Sequence, residues 1–109
     1  MIAWHGSHAR QILESRLTFY LPRFYLRGAP EPQVRYRRMK KRWGSCSRNG
    51  IIMLNTELGR TPLDCIDYVV VHELCHLLHP CHNRGFFHLL KTVLPDWERR
   101  KDRLEKALL

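Results

Sequence analysis

The stretch VVVHELCHLLHPCHNRGFF, Val69 to Phe87, places four histidines, two cysteines and one glutamate within nineteen positions. Just upstream, CIDYVVV (residues 65–71) is almost wholly apolar. Thr61-Pro62 ahead of this run and Pro80 behind it predict a buried helix over about 62–78. Thr61 is expected as its cap, Pro62 as its first residue and Asp64 at its positive end. On that helix His72 and His76 are four apart, so they share a face one turn apart. Two imidazoles so placed reach one ion at about 2.0–2.1 Å. Glu73 then stands beside the ion rather than on it, where it takes a proton from an attacking water. Two histidines and a glutamate in a buried helix carry a desolvation cost that a metal relieves. Histidines satisfied within the core are the competing reading.

A catalytic zinc takes three protein ligands and a water. Rivals for the third place are His79, His82, Cys75, Cys81, His88 and Glu98. From His72 to His79 a straight helix rises about 10.5 Å, too far for one ion. Cys75 points about 100° away from His76. Pro80 ends the helix and His82 follows the turn, so His82 is the geometric choice. His79 is expected at the rim, near the ion without ligating it, and the two thiols as packing. Tyr68, one turn before His72, is expected close to the site in a supporting role.

Outward from this helix, the chain of 109 residues has the length of one domain, 1–109, with 44% hydrophobic and 27% charged residues. No run is apolar and long enough to span a membrane, and the first residues lack the apolar core of a secretory signal. Four cysteines without a C-x-x-C pair suggest free thiols in a reducing, cytoplasmic setting.

Apolar spacing over residues 8–21 predicts an N-terminal helix, capped by Ser7 and ended or kinked by Pro22. QVRYRRMKKR (33–42) reads as a basic strand, and IIMLN (51–55) as a buried one. Asn49-Gly50 marks a tight hairpin turn. Further helices are expected over about 84–94 and from Pro95, the last with Trp97, Lys101, Leu104 and Leu108 on one side. The fold class is therefore α+β: an N-terminal helix, a short β-sheet with a hairpin, the active-site helix and two C-terminal helices.

Charge is uneven. Residues 1–50 hold eleven Arg and Lys against Glu14 and Glu31, whereas residues 51–109 balance, so the whole net charge of +9 sits in the first half. Arg35, Arg37, Arg38, Lys40, Lys41 and Arg42 crowd one segment. They are candidates for binding substrate, phosphates or nucleic acid. An edge strand charged against aggregation is the alternative. Trp43 after them is expected to pack, and Gly44 to allow a close backbone approach.

H-E-x-x-H with a third His ten residues after the first has metzincin spacing, but no Met follows Met53 to form a Met-turn. RWGSCSRNGIIMLN, IDYVVVHELCHLLHP and HNRGFF resemble instead the YgjP-like family of zinc-dependent metallohydrolases, cousins of the SprT and WLM metalloproteases. The resemblance implies a zincin-like fold, one Zn2+ per chain held by His72, His76 and His82, and Glu73 as the catalytic base. It departs at Cys81 and Phe87, where relatives show Asn and Trp. It implies a peptide substrate, or alternatively hydrolysis of UTP to UMP and pyrophosphate. A non-catalytic nucleic-acid-binding metal module is the third reading.

Overall fold

The computed structural model describes residues 6–107, with the side chains of residues 8–106. Its order is α1 (Gly6–Tyr25), β1 (Gln33–Arg37), β2 (Gly44–Cys46), β3 (Ile51–Asn55), a 3-10 helix (Thr56–Arg60), α2 (Leu63–Cys75), α3 (Arg84–Val93) and α4 (Trp97–Ala107). The class is α+β, as the sequence predicts. No helix among the described residues is long and apolar enough to cross a membrane.

The sheet has the order β1-β3-β2. β1 runs parallel to β3, pairing Arg35 with Met53, and β2 runs antiparallel to it, pairing Ser45 with Met53. The β2–β3 turn forms at residues 47–50, where Gly50 has φ 81°, a conformation glycine adopts without strain. In β3, Ile52 and Leu54 are fully buried against the helices. The helical layer buries Leu13, Leu17, Tyr20 and Phe24 of α1, Ile66, Val70, Val71 and Leu74 of α2, and Phe86, Leu89 and Leu90 of α3. Each such side chain contributes about 1.5–3 kcal/mol relative to exposure.

Several expected boundaries move. α1 passes through Pro22 to Tyr25, because fully buried Phe24 anchors its last turn. Ser7 lies inside α1 rather than ahead of it. Pro62, not Thr61, occupies the cap of α2, and the Thr61 hydroxyl turns back to donate to the Leu58 carbonyl at 2.8 Å. α2 ends at Cys75, and residues 76–78 form a turn with i to i−3 bonds. The basic strand is the larger correction: β1 stops at Arg37, and Arg38 to Arg42 form a loop. Leu108 lies outside the described residues.

What stops the strand is Asn55, 4% exposed. Its amide donates to the carbonyls of Met39 at 2.8 Å and Arg42 at 2.9 Å, and its Oδ1 accepts from the Glu57 N–H at 2.9 Å. One side chain thus folds the loop over the end of the sheet and caps the 3-10 helix.

A second buried polar residue ties the helices together. Asp67 on α2 accepts from Arg16 Nε at 2.7 Å and Nη2 at 3.0 Å, and from the Tyr20 hydroxyl at 3.0 Å. Arg100 of α4 approaches it at 3.8 Å. Asp67 is 6% exposed and Arg16 part-buried, so removing the carboxylate leaves the Arg16 guanidinium and the Tyr20 hydroxyl without their acceptor. Asp67→Ala should lower the unfolding free energy by about 1.5–3 kcal/mol in urea denaturation. An unchanged midpoint would show that the cluster contributes nothing.

Candidate metal centre

α2 packs against β2, with His72 in its last turn and His76 at its C-cap. The chain then reverses through Pro80, and His82 comes back beside them. One ring nitrogen from each of His72, His76 and His82 lies within 4.8 Å of the others. Nε2 of His76 and Nε2 of His82 stand 3.1 Å apart. Two bonds of about 2.0–2.1 Å to a tetrahedral ion place their nitrogens about 3.3 Å apart, so the cluster fits a metal. The donor set, three imidazoles and no thiol, suits a borderline divalent ion.

Three arrangements hold the rings. His76 Nδ1 lies 3.1 Å from the His79 carbonyl, which can only accept, so Nδ1 carries the proton and Nε2 keeps its lone pair. Phe86, fully buried on α3, packs under all three rings, with centroid distances of 5.1 Å to His72, 4.6 Å to His76 and 4.8 Å to His82. Asn83 caps α3 by accepting from the Phe86 N–H at 2.9 Å, which fixes the residue after His82. His82 is exposed at its rim. Partial desolvation of its ring, then the neighbouring His76 and His72, hold its pKa below the ordinary histidine value, which favours the neutral, ligating form.

Glu73 is 5% exposed, with Oε2 3.3 Å from His72 Nδ1. It is not among the cluster's ligands. β2 passes directly over it: a Cβ built on Gly44 would come within 3.2 Å of Glu73 Oε2 and Cγ. Glycine at this position therefore lets the carboxylate and the edge strand share the space. A small cleft over Glu73 is lined by Trp43, Gly44, Tyr68, Val69, His72 and Leu104. Trp43 is half-buried against the core. Tyr68 is largely buried there, and burial, then Glu105 and Glu73, push its phenol up to about 12, so it stays protonated.

Of the other sequence candidates, His79 supports the cluster through its carbonyl, as expected of a residue that does not ligate. The His79 ring packs on the first turn of α3, where a Cβ on Gly85 would meet it at 2.8 Å. Cys75 is fully buried, and burial pushes its thiol up to about 12, away from the thiolate a ligand needs. Cys81 is exposed and outside the cluster, and all four cysteines are free thiols. Arg35 and Arg37 belong to β1, the sheet edge opposite β2, with β3 between the two. Arg38, Lys40, Lys41 and Arg42 sit on the loop before Trp43, and none of the six lines the cleft over Glu73. The strand beside the active-site helix is thus the uncharged Gly44–Cys46, not the basic one. Phe86 and Asn83 were visible in the sequence only as part of the HNRGFF resemblance; a cap residue followed by apolar positions 86, 89, 90 and 93 was the physical signal available.

Jannalysin of Methanocaldococcus jannaschii, solved as a metallopeptidase zymogen, superposes with a TM-score of 0.75 at 16% identity, covering 89% of this chain and 97% of its own. Abylysin of Pyrococcus abyssi, also a metallopeptidase zymogen, gives 0.77 at 23% identity, covering 88% and 94%. These likenesses establish a shared fold. No curated protein is significantly similar in sequence. The model of the YgjP-like metallopeptidase domain, however, matches residues 1–107. A match over nearly the whole chain means that this protein belongs to the YgjP-like metallopeptidase domain family.

Proposed function

We propose that the chain is a zinc-dependent metallopeptidase that hydrolyses extended peptides at the His72, His76 and His82 cluster with Glu73 as general base. The observation that carries this reading is the convergence of three imidazole nitrogens beside a carboxylate that does not join them. Held by these three residues, zinc would supply an activated water and polarise the scissile carbonyl. Glu73, enclosed by Gly44 and α2, takes the proton of the attacking water and passes it to the departing amine. Phe86 closes the inner side of the cluster, and His72 and Glu73 line the cleft beside it.

β2 is the last strand of the sheet, and its outer edge has no strand partner among the described residues. An extended peptide adds there by main-chain hydrogen bonds, which sets its backbone across Glu73. Two features favour a peptide over a nucleoside triphosphate. The cleft over Glu73 holds no Arg or Lys among the described residues. The neighbouring depression beside His76 offers Arg48, with Glu31 in the same lining. A closed structural metal site is disfavoured by Glu73, because burying a carboxylate costs free energy that a purely structural site has no reason to incur.

Elemental analysis should find about one zinc per chain. His82→Ala should lose most of it and His79→Ala should keep it; the opposite pattern would reassign the third ligand. Glu73→Gln should retain the metal while casein hydrolysis falls by about 10²–10⁴. A fully active Glu73→Gln protein, or turnover of UTP but not of casein, would remove the proposed reaction. Gly44→Ala crowds the carboxylate rather than the ligands, so metal content should hold while kcat drops roughly tenfold or more. Wild-type kcat in Gly44→Ala would show that the fit against Glu73 has no catalytic role.

A further inference from the structure

The cations of α4 are paired: Arg99, Arg100, Arg103, Lys101 and Lys106 each meet a carboxylate. Those of residues 37–42 differ. Arg37, Arg38, Lys40, Lys41 and Arg42 have no carboxylate partner among the described residues. All five are exposed. The segment is also no loose tail. Asn55 pins it through the carbonyls of Met39 and Arg42, and the Asn55 N–H donates to the Trp43 carbonyl at 2.9 Å. Like charges are therefore held together on a fixed backbone, against a repulsion that a mobile chain would relieve.

The loop separates two depressions, of about 550 Å³ on the Trp43 and Pro62 side and about 540 Å³ on the outer sheet face by Ser45 and Met53. Arg38, Lys40, Lys41 and Arg42 line both. Along β1 the exposed positions alternate, so Arg35 and Arg37 extend the cationic surface across the outer face.

We propose that this loop, with the outer face of β1, binds the sugar-phosphate backbone of nucleic acid. Charge density selects the partner. A nucleic-acid duplex presents one negative charge per about 1.7 Å of its axis, both strands counted. An extended peptide with an acid at every second residue presents one per about 6.6 Å on a face. Six cations within eight positions, spread over a sheet face and both sides of a loop, match the denser polymer. Four of the six are arginines, whose planar forks suit phosphate oxygens. The surface lies off the cleft over Glu73, so the proposal stands whether or not the peptidase reading does.

The test is fluorescence anisotropy of the full chain with a labelled oligonucleotide, as DNA strand, DNA duplex and RNA, across a salt series. Affinity for at least one form should fall steeply with salt. Arg37, Arg38, Lys40 and Lys41 changed together to Ser should reduce the slope of log K against log salt by about two or more. Metal content and unfolding midpoint should be retained, and serve as the check on folding. A control with Lys91, Arg99, Lys101 and Lys106 changed to Ser removes as many charges from α3 and α4 and should keep the steep slope. Equal loss in both variants would reduce the effect to net charge and overturn the proposal. So would absence of binding, or poly-glutamate competing as well as the oligonucleotide, which would assign the surface to acidic peptides.

Discussion

Three imidazoles can meet one ion only if the chain reverses after the second of them, and much of the site follows from that constraint. His72 and His76 come together at no conformational cost, since helical geometry stacks them. His82 must be returned over six residues. The i to i−3 bonds of Leu77 and Leu78 tighten the end of α2, Pro80 forbids its extension, and Asn83 starts a new helix at once. That helix then brings Phe86 beneath the rings. A turn, a breaker, a cap and an aromatic floor thus serve one requirement.

The same helix is held at its other end by charge. Asp67 sits five residues before His72 and takes Arg16 and Tyr20 from α1, with Arg100 of α4 nearby. A small domain has little apolar area with which to fix a helix rigidly. A fully satisfied polar cluster adds direction where hydrophobic packing supplies mainly free energy. α2 therefore has an ionic anchor at one end and the imidazole cluster at the other, with a run of buried apolar residues between.

What could be read beforehand was local. H-E-x-x-H needs only helical period, Asn49-Gly50 only turn chemistry, and the return of His82 only the effect of Pro80. What could not be read was set by long-range partners. Arg16 meets Asp67 across 51 positions, and Asn55 meets Met39 across 16. Without Asn55, residues 38–42 have every sign of a continuing strand. The basic segment lies away from the expected place for a related reason. Its pattern identifies a strand, but neighbours in a sheet are chosen by pairing, and here β3 inserted between the charged strand and the hairpin partner that meets α2. Phe86 looked like any core residue, because an aromatic under a metal site and one in a core share the same helical spacing.

Gly85 carries a longer chain of dependence than its place suggests. The space a side chain would need there is filled by the His79 ring. The backbone of His79 supplies the carbonyl that holds the proton on His76 Nδ1. A side chain at residue 85 would require that ring to move, next to the backbone that orients His76 toward His82. The absence of a methyl group on α3 thus leaves room for the ring of the residue whose carbonyl meets His76 Nδ1, so packing at residue 85 adjoins the support of a ligand.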